Sequence, residues 1–148
     1  MIVPDFKDFP RHGRIMGIDW GARRTGVAVS DETRNFVFTR SPIVTGRGDD
    51  AARVVANTVI TERVVGIVIG LPLRIDGTES ETTKSVRDFA SRVAEYTQLP
   101  ICFIDETLTS SAASQETRLH VPKEIKEKLD SESARIILEN AIAVIKRS

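Results

Sequence analysis

Two apolar runs joined by a short turn form the sequence Ile15-Met16-Gly17-Ile18-Asp19-Trp20-Gly21-Ala22-Arg23-Arg24-Thr25-Gly26-Val27-Ala28-Val29-Ser30-Asp31. Valine, isoleucine and alanine alternate with glycine on both sides of the turn, which favours paired β-strands over a helix. Gly21 and Gly26 bracket the turn, where a positive φ or a close backbone approach is expected. Asp19 ends the first run, shortly before Arg23 and Arg24. Two interpretations stay open: an acid with a chemical role, or a loop aspartate paired with one of these arginines.

The composition is that of an ordinary folded domain. The chain has 148 residues, of which 41% are hydrophobic and 28% charged, and we expect a single domain with one core. Its 21 basic and 21 acidic side chains give a formal net charge of zero. Because proteins that bind nucleic acid through bulk charge are basic, any nucleic-acid binding here is expected to use a local patch.

Residue usage argues against several kinds of site. The single cysteine, Cys102, lies in an apolar run and is expected to be a buried thiol. Two isolated histidines, His12 and His120, argue against structural zinc. No apolar run has the roughly 18 residues of a membrane span, and residues 1–13 lack a signal-peptide core, so we expect no membrane association and a cytoplasmic location. Residues 1–13 are predicted to form a flexible N-terminal arm.

Hydrophobic periodicity predicts the element order β-β-β-α-β-α-β-α-α. Strands are predicted at about 14–19, 26–31, 35–43, 64–70 and 100–104, with Pro42 ending the third at an edge or turn. Helices are predicted after Gly48, after Gly77, at about 109–119 and from Asp130 onwards, with a loop over 121–129. An antiparallel meander followed by βαβ units gives a five-stranded mixed sheet with helices on both faces, an α/β fold.

Acidic residues follow the strands that should run parallel at the centre of this sheet. Asp19 ends the first strand, Asp105 and Glu106 end the fifth, and the loop before Asp130 allows that residue to reach the same edge. In open α/β sheets the functional site lies beyond the carboxyl ends of the parallel strands. Carboxylates that converge there repel one another unless a cation bridges them, and oxygen ligands suit Mg²⁺ or Mn²⁺. Two such ions about 4 Å apart activate a water and stabilise the leaving oxygen of a phosphodiester.

Each of these residues also has a purely structural interpretation. Asp130 is a suitable helix N-cap or first-turn acid, and Asp105 could cap a helix that begins after it. Arg23, Arg24 and Arg74 could be exposed surface charges. The hydroxyl residues after the fifth strand have no activating base nearby in the sequence, which argues against serine chemistry. The joint placement of the acids on one edge favours the metal site.

Four segments, in order along the chain, resemble the motifs of the YqgF family, a group named for Holliday junction resolution and for pre-16S rRNA processing. Residues 17–31 resemble the first motif, and Val68-Ile69-Gly70-Leu71-Pro72-Leu73 with Asp76-Gly77-Thr78-Glu79 is similar to the second. Asp105-Glu106-Thr107-Leu108-Thr109-Ser110 resembles the third motif, and Asp130-Ser131 leading into Ala134-Arg135-Ile136-Ile137-Leu138-Glu139 resembles the fourth. The resemblance runs from about residue 14 to residue 145.

The resemblance implies an RNase H-like fold and a metal-dependent phosphodiesterase that acts on nucleic acid. By position it makes three residues the catalytic, metal-holding acids, with Mg²⁺ or Mn²⁺ as cofactor: Asp19, Glu106 and Asp130. Asp105 matches a further motif position as an additional metal ligand. Three arginines would contact phosphates and set register rather than sequence: Arg23, Arg24 and Arg74.

The sequence departs from the family pattern at two positions. Thr107 stands where the family usually has an arginine, which removes an expected phosphate contact or acid partner. Ala112 stands where the family usually has a glutamate, a change that bears on a helix start. Thr107 therefore bears on activity more than on fold.

Three functions are compatible with these observations. The first is a metal-dependent endonuclease of structured nucleic acid, with pre-16S rRNA or a Holliday junction as substrate, ribosomal particles as a further partner, and a monomer or homodimer as the working unit. The second is a non-catalytic RNA- or ribosome-binding module on the same fold, motivated by Thr107 and the zero net charge. The third is an ATP-binding protein of the actin and sugar-kinase type, suggested by Gly-x-Asp-x-Gly followed by Thr-Gly. Those proteins enclose ATP between two such domains, and 148 residues supply one.

Overall fold

The computed structural model describes residues 1–107 and 122–148. Its strands are β1 (Arg14–Asp19), β2 (Arg24–Ser30), β3 (Val37–Val44), β4 (Val64–Leu73) and β5 (Ile101–Thr107). Its helices are α1 (Asp50–Thr61), α2 (Glu81–Tyr96) and α3 (Lys123–Arg147), and Phe6–Asp8 form a short 3-10 turn. The helix predicted at 109–119 and the family position at Ala112 lie outside the described residues.

The five strands form one mixed sheet in the order β3-β2-β1-β4-β5. The first three strands are antiparallel neighbours, with Met16 opposite Val29 and Asp19 opposite Gly26. β4 lies parallel to β1, and β5 lies parallel to β4 after the crossover through α2. This arrangement confirms the predicted sheet, with its meander and its parallel strands.

Side chains of successive strand residues alternate between the two faces of the sheet, and helices cover both faces. Met16, Ile18 and Ile67 belong to the core beneath α1 and α2. Ile15 and Val68 belong to the core beneath α3. The prediction of helices on both faces is therefore confirmed. In the part of the chain that is described, no helix combines the length and the apolar character needed to cross a bilayer.

Close contact between α3 and the sheet depends on glycines in three strands. A Cβ at Gly17 would lie 2.7 Å from a side-chain carbon of α3, and a Cβ at Gly70 would lie 2.6 Å from another. A Cβ at Gly26 would overlap the backbone carbonyl oxygen of Asp130. Since interiors are already close-packed, α3 reaches this position only because these strand residues have no side chain. The contact fixes the height of Asp130 above the sheet.

Helix α3 begins earlier than the sequence predicts. It begins at Lys123, so the loop predicted over 121–129 is wrong from that residue onwards, and Asp130 lies inside the helix. The first two turns of α3 are rich in charge, and Ile125 there is 48% exposed. They therefore carry no apolar stripe that periodicity could detect. Pro122 occupies the N-cap position, next to the first helical position where proline is common.

Three strands also extend beyond their predicted ends. β4 continues to Leu73 and β5 to Thr107, because pairing between these two strands persists past their apolar runs. β3 continues through Pro42 to Val44. The prediction that Pro42 ends this strand is therefore wrong. Proline is tolerated within β3 because β3 is an edge strand, one of the two predicted settings, and its register against β2 shifts close to this position.

The N-terminal residues contact the sheet at the end opposite to the carboxyl ends of the parallel strands. The Val3 N–H donates to the carbonyl oxygen of Ile101 at 2.8 Å, and the Ile101 N–H donates to the carbonyl oxygen of Met1 at 2.8 Å. The Phe9 ring is buried over Gly66. These contacts attach the arm to β4 and β5, and its flexibility stays a prediction.

Candidate active site

The carboxyl ends of β1, β4 and β5 form one edge of the sheet, made up of residues 19, 71–73 and 105–107, which we call the rim. Asp19 is the last residue of β1. Near the end of β5, Glu106 lies opposite Pro72 of β4. Because β4 lies between β1 and β5, the two acids project from strands on either side of it.

Strand alternation places Asp19 and Glu106 on the face of the sheet that α3 covers. In β1, Gly17 contacts α3 and precedes Asp19 by two residues. In β5, Cys102 belongs to the core beneath α3 and precedes Glu106 by four residues. Gly70 of β4 leaves space between the acids, since the Glu106 Oε2 atom lies 2.9 Å from the position that a Cβ of Gly70 would occupy.

The pKa of the Glu106 carboxyl group is strongly shifted from its ordinary value. Burial raises the pKa of Glu106 from 4.5 to about 7, and the negative charge of Asp19 shifts it in the same direction. The two acids therefore interact electrostatically across β4. A positive charge near them would favour the ionised form of Glu106.

Asp130 reaches the same region from α3. Asp130 is only 6% exposed. Its backbone carbonyl packs on Gly26 of β2, and Gly26 lies opposite Asp19 of β1. The Arg24 Nε atom donates to the Asp130 Oδ2 atom at 2.9 Å. An arginine of the chain therefore supplies positive charge to this acid. The interpretation of Asp130 as a helix N-cap is wrong, because the residue lies beyond the second turn of α3.

Asp105 is not brought together with Asp19 and Glu106. It follows Phe103 by two residues in β5, and Phe103 packs against the core beneath α1 and α2. Asp105 is exposed on that opposite face. Alternation along one strand thus separates two acids that are neighbours in the sequence. The side chain of Thr107, the residue after Glu106, lies outside the described part of the structure.

The three arginines predicted to contact phosphate have different surroundings. Arg23 is exposed in the turn between β1 and β2. Arg24 forms the ion pair with Asp130. The Arg74 Nη1 atom donates to the backbone carbonyl oxygen of Glu79 at 3.0 Å, which closes the loop that follows β4. Phosphate contact by these residues stays a prediction.

The donors at the rim agree in kind with a hard divalent cation. Within residues 1–107 and 122–148, no group of three or more histidine, cysteine, aspartate or glutamate side chains is arranged to hold a metal ion. Asp19 and Glu106 nevertheless offer the oxygen ligands that Mg²⁺ and Mn²⁺ prefer, and a cation would relieve their repulsion. A third ligand from Asp130 requires that Arg24 release or share that carboxylate.

A cleft of about 380 Å³ opens next to the rim, on the face of α1 and α2. Trp20, which directly follows Asp19, lines it together with Phe89 of α2 and the segment that leads into α1. Sequence reasoning missed this cleft because its walls come from three separate segments. The position of an aromatic residue directly after Asp19 is the one signal that could have indicated it.

The strand order, the helices on both faces and the carboxylates at the ends of β1 and β5 define an RNase H-like domain. The structure of T. thermophilus RuvC in complex with Holliday junction substrate has a similar fold, with a TM-score of 0.54 at 13% sequence identity. The match covers 92% of this chain and 97% of that chain. At this identity the likeness shows the fold alone.

The chain belongs to the RuvX family, described as Holliday junction resolvase, whose model matches residues 13–143. A relative from Maridesulfovibrio salexigens, named "Putative pre-16S rRNA nuclease", is 36% identical over 132 residues, which cover 88% of this chain and 98% of the relative. A protein of the same name from Orientia tsutsugamushi is 32% identical over 137 residues, covering 91% of this chain and 87% of the relative. The resemblance to the YqgF family is thereby confirmed.

Proposed function

We propose that this protein is a metal-dependent endonuclease that hydrolyses phosphodiester bonds in structured nucleic acid. Membership of the RuvX family supports the nuclease activity. The observation that carries the proposal is the pairing of Asp19 and Glu106 across β4, on the same face as Asp130. The negative charge of Asp19 acts on Glu106 at the open end of the sheet, and this arrangement supports a role for the two acids in holding a cation.

Asp19 and Glu106 would hold the divalent cation, with Asp130 as the third acid. When bound, such a cation polarises a phosphate oxygen and lowers the pKa of a bound water. Arg24 positions the Asp130 carboxylate through the 2.9 Å ion pair. Arg23, which is exposed beside the rim, would contact a neighbouring phosphate and set the register of the substrate.

The substrate is a folded RNA or a branched DNA. The names of the relatives favour the 5′ end of pre-16S rRNA, free or within a ribosomal particle, and the family description favours the Holliday junction. The two substrates differ in their demands on the protein, since symmetric junction cutting calls for a homodimer and RNA trimming is compatible with a monomer. Either activity fits a cytoplasmic protein.

The test is cleavage by the purified protein with Mg²⁺ or Mn²⁺, using a pre-16S rRNA fragment and a four-way DNA junction. Asp19→Asn should lower the cleavage rate at least a hundredfold while leaving the circular dichroism spectrum unchanged. Asp105→Asn is the matched control, because it removes an acid of the same rim from the opposite face. Equal cleavage by the wild type and Asp19→Asn, or no cleavage of either substrate by the wild type, would contradict the proposal.

A non-catalytic nucleic-acid-binding module is the second candidate. The ion pair between Arg24 and Asp130 favours it, because it engages the third acid of the expected set. This candidate predicts binding of the same substrates with equal affinity in EDTA and in Mg²⁺, and no product with either. The cleavage experiment therefore separates the two candidates.

A further inference from the structure

The cleft beside Trp20 has walls that are fixed relative to one another. One wall is the start of α1, and the other is α2. The Arg92 Nη1 atom donates to the Asp49 Oδ1 atom at 2.6 Å, and the Tyr96 hydroxyl donates to the Asp49 Oδ2 atom at 2.6 Å. These two contacts join α2 to the N-terminus of α1. The cleft is therefore formed before any ligand arrives.

Aromatic and polar surfaces meet in this cleft. Trp20 packs partly against the core beneath α1 and α2 and presents its remaining surface to the cleft, which Phe89 also lines. Ser85 of α2 adds an exposed hydroxyl. A volume of about 380 Å³ is at the small end of the range for pockets that take organic ligands. Its size and its mixed aromatic and polar lining suit one ring with polar edges.

The charges that line the cleft compensate one another. Lys84 lies 3.4 Å from Glu81, and Arg92 lies 2.8 Å from Asp88, measured between nitrogen and oxygen. All four residues line the cleft, so two cations face two anions. A phosphate group would find no surplus of positive charge there. An uncharged ring is the part of a nucleotide that this lining favours.

The cleft and the acids lie on opposite faces of the same strand end. Asp19 is directed towards α3, whereas Trp20, the next residue, packs on the side of α1 and α2. Their Cα atoms are separated by one peptide unit, about 3.8 Å. A nucleic-acid strand that crosses the rim at the end of β1, from one face of the sheet to the other, would therefore pass both the acids and the cleft.

From this placement we infer that the cleft binds a single unstacked base of the substrate, next to the phosphate held at Asp19 and Glu106, with Trp20 as the stacking surface. This inference rests on the proposed function and extends it to a substrate class. The enzyme would require single-stranded or locally unpaired nucleic acid at the cleavage point, because a paired base cannot enter the cleft.

The chain offers a direct probe, because Trp20 is its only tryptophan. In EDTA, where no cleavage occurs, titration with single-stranded octathymidylate should quench or shift the tryptophan fluorescence. An octamer of the same backbone without bases should leave the fluorescence unchanged. An equal response to both oligomers would mean that the cleft region binds phosphate, and no response to octathymidylate would also overturn the inference.

Substitutions in α2 provide the matched test of the cleft itself. Ser85→Leu fills the cleft from an exposed position and should weaken octathymidylate binding about 5- to 150-fold, the loss expected for one base–aromatic contact. Ser91→Leu makes the same change at an exposed position of α2 that does not line the cleft, and binding should be unchanged. The Trp20→Phe protein should retain most of its affinity for the oligomer, since a phenyl ring still stacks. Its binding is measured by the fluorescence anisotropy of a labelled oligomer. Equal affinity of the Ser85→Leu and Ser91→Leu proteins would refute the inference.

Failure of this inference is distinguishable from failure of the proposed function. Asp19→Asn should abolish cleavage and leave the fluorescence response to octathymidylate intact. If the wild type cleaves and Ser85→Leu cleaves equally well, the nuclease proposal stands and the base site is wrong. If the fluorescence response is present and no substrate is cleaved, the base site stands and the nuclease proposal is wrong.

Discussion

Replacing Glu106 with glutamine should make the metal-free protein more stable at alkaline pH. Burial, with a further contribution from Asp19, raises the pKa of Glu106 to about 7, whereas the ordinary value of 4.5 applies to the unfolded chain. Between these two values the folded state binds more protons than the unfolded state. The free energy of unfolding therefore falls as the pH rises from about 4.5 through 7.

The size of the effect follows from the difference between the two pKa values. At 1.36 kcal/mol for each pH unit, the ceiling is about 3 kcal/mol. Because the Glu106 side chain is only partly buried at the rim, solvent screening reduces the expected penalty to about 1–2 kcal/mol. For a chain of this length that corresponds to about 2–8 °C in the melting temperature.

The assay is thermal unfolding in EDTA at pH 5.0 and pH 8.5. Glu106→Gln should melt about 2–8 °C above the wild type at pH 8.5 and within about 1 °C of it at pH 5.0, where Glu106 is mostly protonated. Asp105→Asn, on the exposed face of the same strand, should show no such dependence on pH. Stabilisation of equal size at both pH values, or no stabilisation at pH 8.5, would refute the reasoning that Glu106 is held at an electrostatic cost.

Three further substitutions test contacts of the site and of the sheet that carries it. Arg24→Gln removes the 2.9 Å ion pair with Asp130 and should lower the free energy of unfolding in urea by about 1–3 kcal/mol, and less in an Asp130→Asn background; equal losses in both backgrounds would contradict this. Gly26→Ala should cost about 2–3 kcal/mol, because its methyl group overlaps the Asp130 carbonyl, and an unchanged urea midpoint would show that α3 can shift. The hydrogen bond from Arg40 holds the pKa of Glu62 below its ordinary value, so Glu62 stabilises the fold above that ordinary value and this stabilisation is lost as the pH falls through the lowered one. Glu62→Gln should therefore cost about 0.5–1 kcal/mol at pH 7 and less at pH 3, as urea unfolding at the two pH values would show.

The sheet could be predicted from the sequence because its central strands are apolar runs bounded by glycine, proline and acids. The ends of the strands were harder to predict, because pairing between β4 and β5 extends into polar residues such as Glu106. The start of α3 was missed for a related reason. Its first two turns, from Lys123 onwards, pack too little for their sequence to show a buried face.

The site could be predicted in part. Asp19 and Glu106 follow apolar strands, and the rule for the carboxyl ends of parallel strands is enough to bring them to one edge. Because side chains alternate between the two faces of a strand, the sequence of β5 could also have predicted that Asp105 and Glu106 lie on opposite faces. The ion pair between Arg24 and Asp130 joins positions 106 residues apart, and no local pattern encodes such a contact.

The glycines beneath α3 have a consequence for how mutations of this protein would be interpreted. Gly17, Gly26 and Gly70 carry no functional group, yet each sets the distance between the helix that bears Asp130 and the strands that bear the other acids. A saturation mutagenesis screen for activity should therefore score these three positions as strictly as the acids themselves. In such a screen, intolerance to substitution would not distinguish a residue that takes part in the reaction from one that keeps a space empty.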